Sequence, residues 1–161
     1  MGKTRTVTVV ADASFDERSK LAGFAVWVTE EAVSRQISGH VSVKDSCEAE
    51  LAALGNGIVY AIRTLHLAPG DVIIVRSDNQ HASGLLCGWT KPREDRPGDL
   101  ALAGWVRKVV RKRGIILRSW HLEGHQGDRT VDAAIQGWCD STARAALSMA
   151  RVEGLRSQAA A

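Results

Sequence analysis

The chain has few cysteines, few prolines and no long apolar run. Its 161 residues include three cysteines, three prolines, one tyrosine and two phenylalanines. Cys47, Cys87 and Cys139 are odd in number, far apart and form no CxxC pair. That argues against both a zinc site and a disulfide framework, and it fits a reducing compartment. No uncharged apolar stretch approaches the roughly 18–20 residues that cross a bilayer, so no membrane partner is expected. Met1 to Arg5 leads straight into an alternating segment without an apolar h-region or a small-residue cleavage site. The expected location is therefore cytoplasmic. With prolines this scarce and the 15 glycines scattered, no linker or low-complexity tract divides the chain.

What remains is globular in character. The sequence is 45% hydrophobic and 24% charged, and its length suits one domain. We read residues 1–156 as that domain and 157–161 as a frayed tail. A net charge of +3 permits a polyanionic partner without requiring one.

The pattern of elements is mixed. Thr6 to Asp12 is β-branched and partly alternating, and reads as a strand ending in an aspartate; Ser14 to Lys20 reads as a hairpin loop. Leu21–Thr29 and Ala32–Val43 supply two further strands, turned at Glu30-Glu31, which makes an antiparallel meander. From Ser46 the period becomes helical, with Leu51, Leu54, Ile58, Ile62 and Leu65 inward and Asp45 or Ser46 as N-cap. Pro69-Gly70 ends that helix. Val72–Val75 is a continuous apolar run, expected to be a fully buried strand parallel to the first. A short helix (His81–Trp89), a charged loop, a helix over Asp99–Arg113 with Leu100, Trp105, Val106, Val109 and Val110 inward, a fifth strand (Ile115–Trp120) and a last helix from Val131 complete the chain. The expected fold is α/β: a five-stranded mixed sheet, elements in the order βββαβαβα, flanked by helices.

Four acids stand out by position. Asp12 and Asp78 end two strands that are expected to be parallel neighbours, so both emerge at one end of the sheet, where α/β proteins bind ligands. Glu50 lies in the first turns of the long helix at the border of its inward face, and Asp140 lies in the last helix. Each acid alone is more often a cap or a solvated charge. Four brought together would repel one another unless a cation neutralised them, and carboxylate oxygens select Mg²⁺ or Mn²⁺ over zinc. Two such ions can activate water and stabilise a leaving oxygen in phosphodiester hydrolysis.

The series Asp12-Ala13-Ser14, Ala49-Glu50-Leu51-Ala52-Ala53-Leu54, Ser77-Asp78-Asn79-Gln80, Gly124-His125-Gln126-Gly127 and Cys139-Asp140 resembles type 1 ribonuclease H, in motif order and over roughly Thr6 to Met149. The resemblance implies a ribonuclease H-like fold and a two-metal endonuclease that cuts the RNA strand of RNA/DNA hybrids, leaving 5′-phosphates. Asp12, Glu50, Asp78 and Asp140 would then bind two Mg²⁺ ions, with Mn²⁺ as an alternative. His125 would assist proton transfer or product release. Asp132 competes with Asp140 for the fourth place; the run Cys139–Ala145 resembles the family's helix better. The chain departs from the family at Ala13, where glycine is usual, and at Asp45-Ser46-Cys47, where an Asn-rich segment usually reads the sugar hydroxyls.

Candidate contacts to nucleic acid are Ser14, Ser46 and Asn79 beside the acids, Lys91 and Arg93 in the charged loop, and Arg107 and Arg111 on the helix that follows. Such cations would bind phosphates without reading sequence. Trp89 is the tryptophan placed to stack on a base, with core packing the commoner role. The expected partner is an RNA/DNA hybrid and the expected state a monomer. The alternatives are a non-catalytic binding module of the same fold, or a nuclease acting on DNA or structured nucleic acid.

Overall fold

The computed structural model describes residues 3–121 and 130–159. Three antiparallel strands, β1 (Thr6–Asp16), β2 (Leu21–Glu30) and β3 (Val33–Ser42), lead into α1 (Ser46–Thr64). β4 (Val72–Ser77), α2 (Gln80–Cys87), α3 (Pro97–Lys112), β5 (Ile116–His121) and α4 (Val131–Ala159) follow. The sheet order is β3-β2-β1-β4-β5, with β1, β4 and β5 parallel and β2 antiparallel to its neighbours. No helix among the described residues is long and apolar enough to cross a membrane.

The helical period of α1 aims Leu51, Leu54 and Ile58 at Val7, Val9, Val26, Val28, Ile73 and Val75, all of them buried. This is the main core. α4 covers the opposite face, where Cys139 and Ala143 pack on Val10 and Ala25. Trp27 meets Trp138 edge-on there, with ring centroids 5.3 Å apart.

Two glycines set how closely the helices lie on the sheet. A Cβ at Gly57 of α1 would come within 2.6 Å of Val9 Cγ1 and 2.8 Å of Val26 Cγ1. One at Gly23 of β2 would lie 2.1 Å from the Ala143 carbonyl oxygen and 2.3 Å from the Leu147 nitrogen, which are α4 backbone and cannot rotate aside. Gly23→Ala is therefore expected to cost about 1–3 kcal/mol by lifting α4. Gly104→Ala is the matched control: its Cβ meets nothing within 4 Å, and the change should stabilise α3 by roughly 0.5–1 kcal/mol. Urea unfolding of both variants measures the contrast.

Several sequence expectations are revised. β1 extends to Asp16, pairing residue for residue up to Asp16↔Leu21, so Ser14 is a strand residue and the turn is confined to residues 17–20. β4 is buried alternately rather than throughout, because α4 packs over β1, β2 and β3 and leaves the second face of β4 partly open. Leu100 and Trp105 face outward, since the buried stripe of α3 runs through Asp99, Ala103, Val106 and Val110. At its C-terminal end α4 runs on to Ala159, with Ser157 and Gln158 exposed, into the expected tail.

Candidate active site

β1 and β4 run parallel with Val10 opposite Arg76. Two residues further along each strand, Asp12 and Asp78 reach the same end of the sheet. Side chains two apart share a face, so Asp12 lies on the face of Val10, towards α4. Asp140 follows Cys139, which packs on Val10. Glu50 comes from the other side of the sheet, in the second turn of α1. Its Ala49 and Leu51 neighbours are buried, and they hold the helix start against the strand end.

Asp12 feels the other three acids. Burial first, then the charges of Asp78 and Asp140, push the Asp12 carboxyl up to about 6. The Ala13 N–H, which donates to Asp12 Oδ1 at 2.9 Å, opposes that rise. Burial, followed by the charges of Asp12 and Asp78, drives Glu50 further, to about 9. Glu50 Oε2 is buried without a hydrogen-bond partner among the described residues. An orphaned carboxylate oxygen that feels the charges of Asp12 and Asp78 is a donor that a hard dication would satisfy.

Asp132 is engaged elsewhere. Arg76 of β4 grips it with two hydrogen bonds of 2.7 Å, one to each carboxylate oxygen. This pair ties the start of α4 to the sheet. Among the described residues, half-exposed Asp140 pairs with exposed Arg144 at 3.0 Å, one turn along its own helix, and its charge reaches Asp12.

A cleft of about 510 Å³ opens beside the acids, lined by Ser46, Cys47, Glu50, Asp78, Asn79 and Gln80. Ser46 is exposed at its wall. Asn79 is partly committed: its side chain caps α2 by accepting from Ala82 N at 2.9 Å, while its own N–H donates to Ser77 Oγ at 3.0 Å. Asp45 is the N-cap of α1, accepting from Glu48 N at 3.0 Å. Burial works against its charge, yet the Glu48 N–H and Arg96 hold its carboxyl below the ordinary range. Arg96 bridges Asp45 (2.7 Å) and Asp99 (2.5 Å). This bridge was not foreseen from the sequence, since it joins the charged loop to a helix start 51 positions away.

The basic candidates differ in freedom. Arg93 is occupied by Asp95 at 2.7 Å, whereas Lys91, Arg107 and Arg111 are exposed. The Arg107 guanidinium packs across Gly88, next to Trp89. Trp89 and Trp120 are 58% and 66% exposed, so neither serves the core, and Trp89 Nε1 donates to Ser119 Oγ at 3.0 Å. Ser14 sits in β1 opposite Gly23. His125 lies outside the described residues.

A five-stranded sheet of this order, with one antiparallel strand inside it and acids at the shared end of β1 and β4, is the ribonuclease H fold. Solved structures of type 1 ribonuclease H domains share it. The N-terminal RNase H domain of a Mycobacterium tuberculosis protein, solved as a fusion with maltose-binding protein, superposes with a TM-score of 0.73 at 16% identity, covering 94% of this chain and 99% of that one. RNase H1 of Halobacterium salinarum gives 0.68 at 16% identity over 89% and 98%. LC11-RNase H1, solved in complex with an RNA/DNA hybrid, gives 0.67 at 17% identity over 89% and 98%. No protein-family model and no curated protein matches the sequence.

Proposed function

We propose that the chain is a divalent-metal-dependent endoribonuclease that hydrolyses the RNA strand of RNA/DNA hybrids. The observation that carries this is the meeting of Asp12, Glu50, Asp78 and Asp140 at one end of the sheet, with a buried Glu50 oxygen left without a partner among the described residues. A binding module gains nothing from holding such acids together. That a protein of this fold has been solved on an RNA/DNA hybrid supports the hybrid as substrate class.

The four carboxylates would hold two Mg²⁺ or Mn²⁺ ions, which would supply an activated water and charge neutralisation at the leaving oxygen. The chain's own residues do the rest. Ala13 N–H fixes the Asp12 carboxylate in one orientation. Ser46, on the cleft wall with Glu50, offers a hydroxyl to the ribose, the group by which a protein tells RNA from DNA. Lys91, Arg107 and Arg111 take phosphates of the duplex, giving affinity that falls with salt. Arg93 adds to them only by leaving Asp95. His125 carries a proton between site and solvent. The reading describes a protein that works as a monomer in the cytoplasm.

A labelled RNA/DNA hybrid, RNA duplex and DNA duplex, each with Mg²⁺, Mn²⁺ or chelator, test the reading. Cutting of the hybrid's RNA strand alone, abolished by chelator, is the expected result. Hybrid binding without cleavage under either metal would make the protein a binding module. Cutting confined to DNA would keep the metal chemistry and change the substrate.

A further inference from the structure

Cys47, His81 and Asp99 belong to the first turns of α1, α2 and α3. One sulfur, one imidazole nitrogen and one carboxylate oxygen from these side chains lie within 4.8 Å of one another. Cys47 Sγ is 3.9 Å from Asp99 Oδ2. Cys47 and His81 are part-buried and Asp99 is buried. We propose that these three side chains form a second metal site, built from other ligands than the four carboxylates and beside the same cleft, that takes a borderline-soft dication such as Zn²⁺.

The donor set decides the ion. One thiolate, one imidazole and one carboxylate suit zinc, and cobalt in its place; Mg²⁺ prefers an octahedron of oxygens. Tetrahedral bonds of about 2.0–2.3 Å put donors roughly 3.3–3.8 Å apart. Closing from the present spread therefore needs about 1 Å, within the range of side-chain rotation at Cys47 and His81. Asp99 now faces Arg96. Arg96 also holds Asp45 at 2.7 Å, so it keeps a carboxylate partner when Asp99 turns to the metal. The Cys47 thiol gives its proton to solvent as the sulfur binds. With three protein ligands, the fourth position is left to water. A bound ion would tie together three helix starts, two of which Arg96 already links through Asp45 and Asp99.

Cobalt reports the site directly, because a bound thiolate gives a near-ultraviolet charge-transfer band that carboxylates do not. Titration of the full chain with Co²⁺ is expected to show that band, saturating at one ion, in the presence of excess Mg²⁺. It should persist in Asp78→Asn, vanish in Cys47→Ser, and need at least about tenfold more Co²⁺ in His81→Ala. Zn²⁺ should displace the cobalt and raise the melting temperature of the wild type but not of Cys47→Ser. A wild type without the band overturns the proposal, and this result does not depend on any variant folding. A band that survives Cys47→Ser and disappears with Cys87→Ser overturns it too. None of these readouts needs cleavage, so the site stands or falls apart from the nuclease reading.

Discussion

Asp140→Asn is expected to lower cleavage of the hybrid's RNA strand by about 10³-fold, the scale of losing one preorganised electrostatic contact in the transition state, while Asp132→Asn keeps activity within a few-fold of wild type. The two acids lie on one helix and both stand near the sheet, so the contrast tests placement and not composition. Asp140 adjoins Cys139, which is buried on Val10, and its charge acts on Asp12. Asp132 is held by Arg76 through both carboxylate oxygens. Its loss should appear in stability instead, at about 1–3 kcal/mol, because Arg76 Nε is already buried without a partner among the described residues and the other nitrogens would join it. Hybrid affinity in chelator should change little in Asp140→Asn, since phosphate contacts by exposed cations carry that term. Single-turnover cleavage, hybrid binding and urea unfolding of both variants separate the roles. Equal losses of activity would show that α4 position matters more than the identity of the fourth acid. Loss confined to Asp132→Asn would reverse the assignment.

How far the sequence could be read depended on range. The first three strands and α1 follow from periods of 2 and 3.6, and β4 from a short apolar run; these signals are local, so the elements stand close to where the pattern puts them, although β4 is buried on alternate residues and not throughout. Asp12 and Asp78 were legible as neighbours because two parallel strands in register carry their end residues to one place. The charged groups that join distant elements were not. Arg76 and Asp132 are 56 positions apart, and Arg96 and Asp45 are 51 apart; neither pair has a spacing rule. Trp105 looked inward by helical period, yet it is 49% exposed. Val106 and Val110, read as inward by the same period, are buried on the side that meets α1. The scattered cysteines spoke against a zinc site because zinc motifs are recognised by paired spacing. Cys47, His81 and Asp99 enter one at a time from three helices, a pattern that only the fold assembles.

Glu50→Gln should stabilise the metal-free protein and disable it as an enzyme. In the fold, burial and the charges of Asp12 and Asp78 raise this carboxyl from an ordinary 4.5 to about 9. The folded state therefore binds a proton that the unfolded chain has released, at every pH between those values. Stability from this group is greatest below about 4.5 and declines as pH rises through the window towards 9. Asp12, raised to about 6, adds a smaller decline in the same direction at lower pH. Glutamine keeps the shape and never ionises. In chelator at pH 8 the variant should be more stable than wild type by roughly 2–4 kcal/mol, a fraction of the full shift because the charges relax and water enters. At pH 4.5 the two should unfold together. Mg²⁺ should close the gap from the wild-type side, since an ion that binds the folded carboxylates stabilises that state by mass action, and it should raise the wild-type midpoint more than the variant's. Cleavage by the variant should fall about 10³-fold under the same conditions. Thermal unfolding across pH 4.5–8, with chelator and with Mg²⁺, reads all of this. A variant no more stable than wild type at pH 8 would mean that Glu50 is not held against the other acids, and the carboxylate site would lose its central member. A variant that is more stable and still active would leave the cluster in place and move the chemistry off Glu50. Stability and activity changing in opposite directions is the signature of acids assembled at a cost to the fold for the sake of a cation.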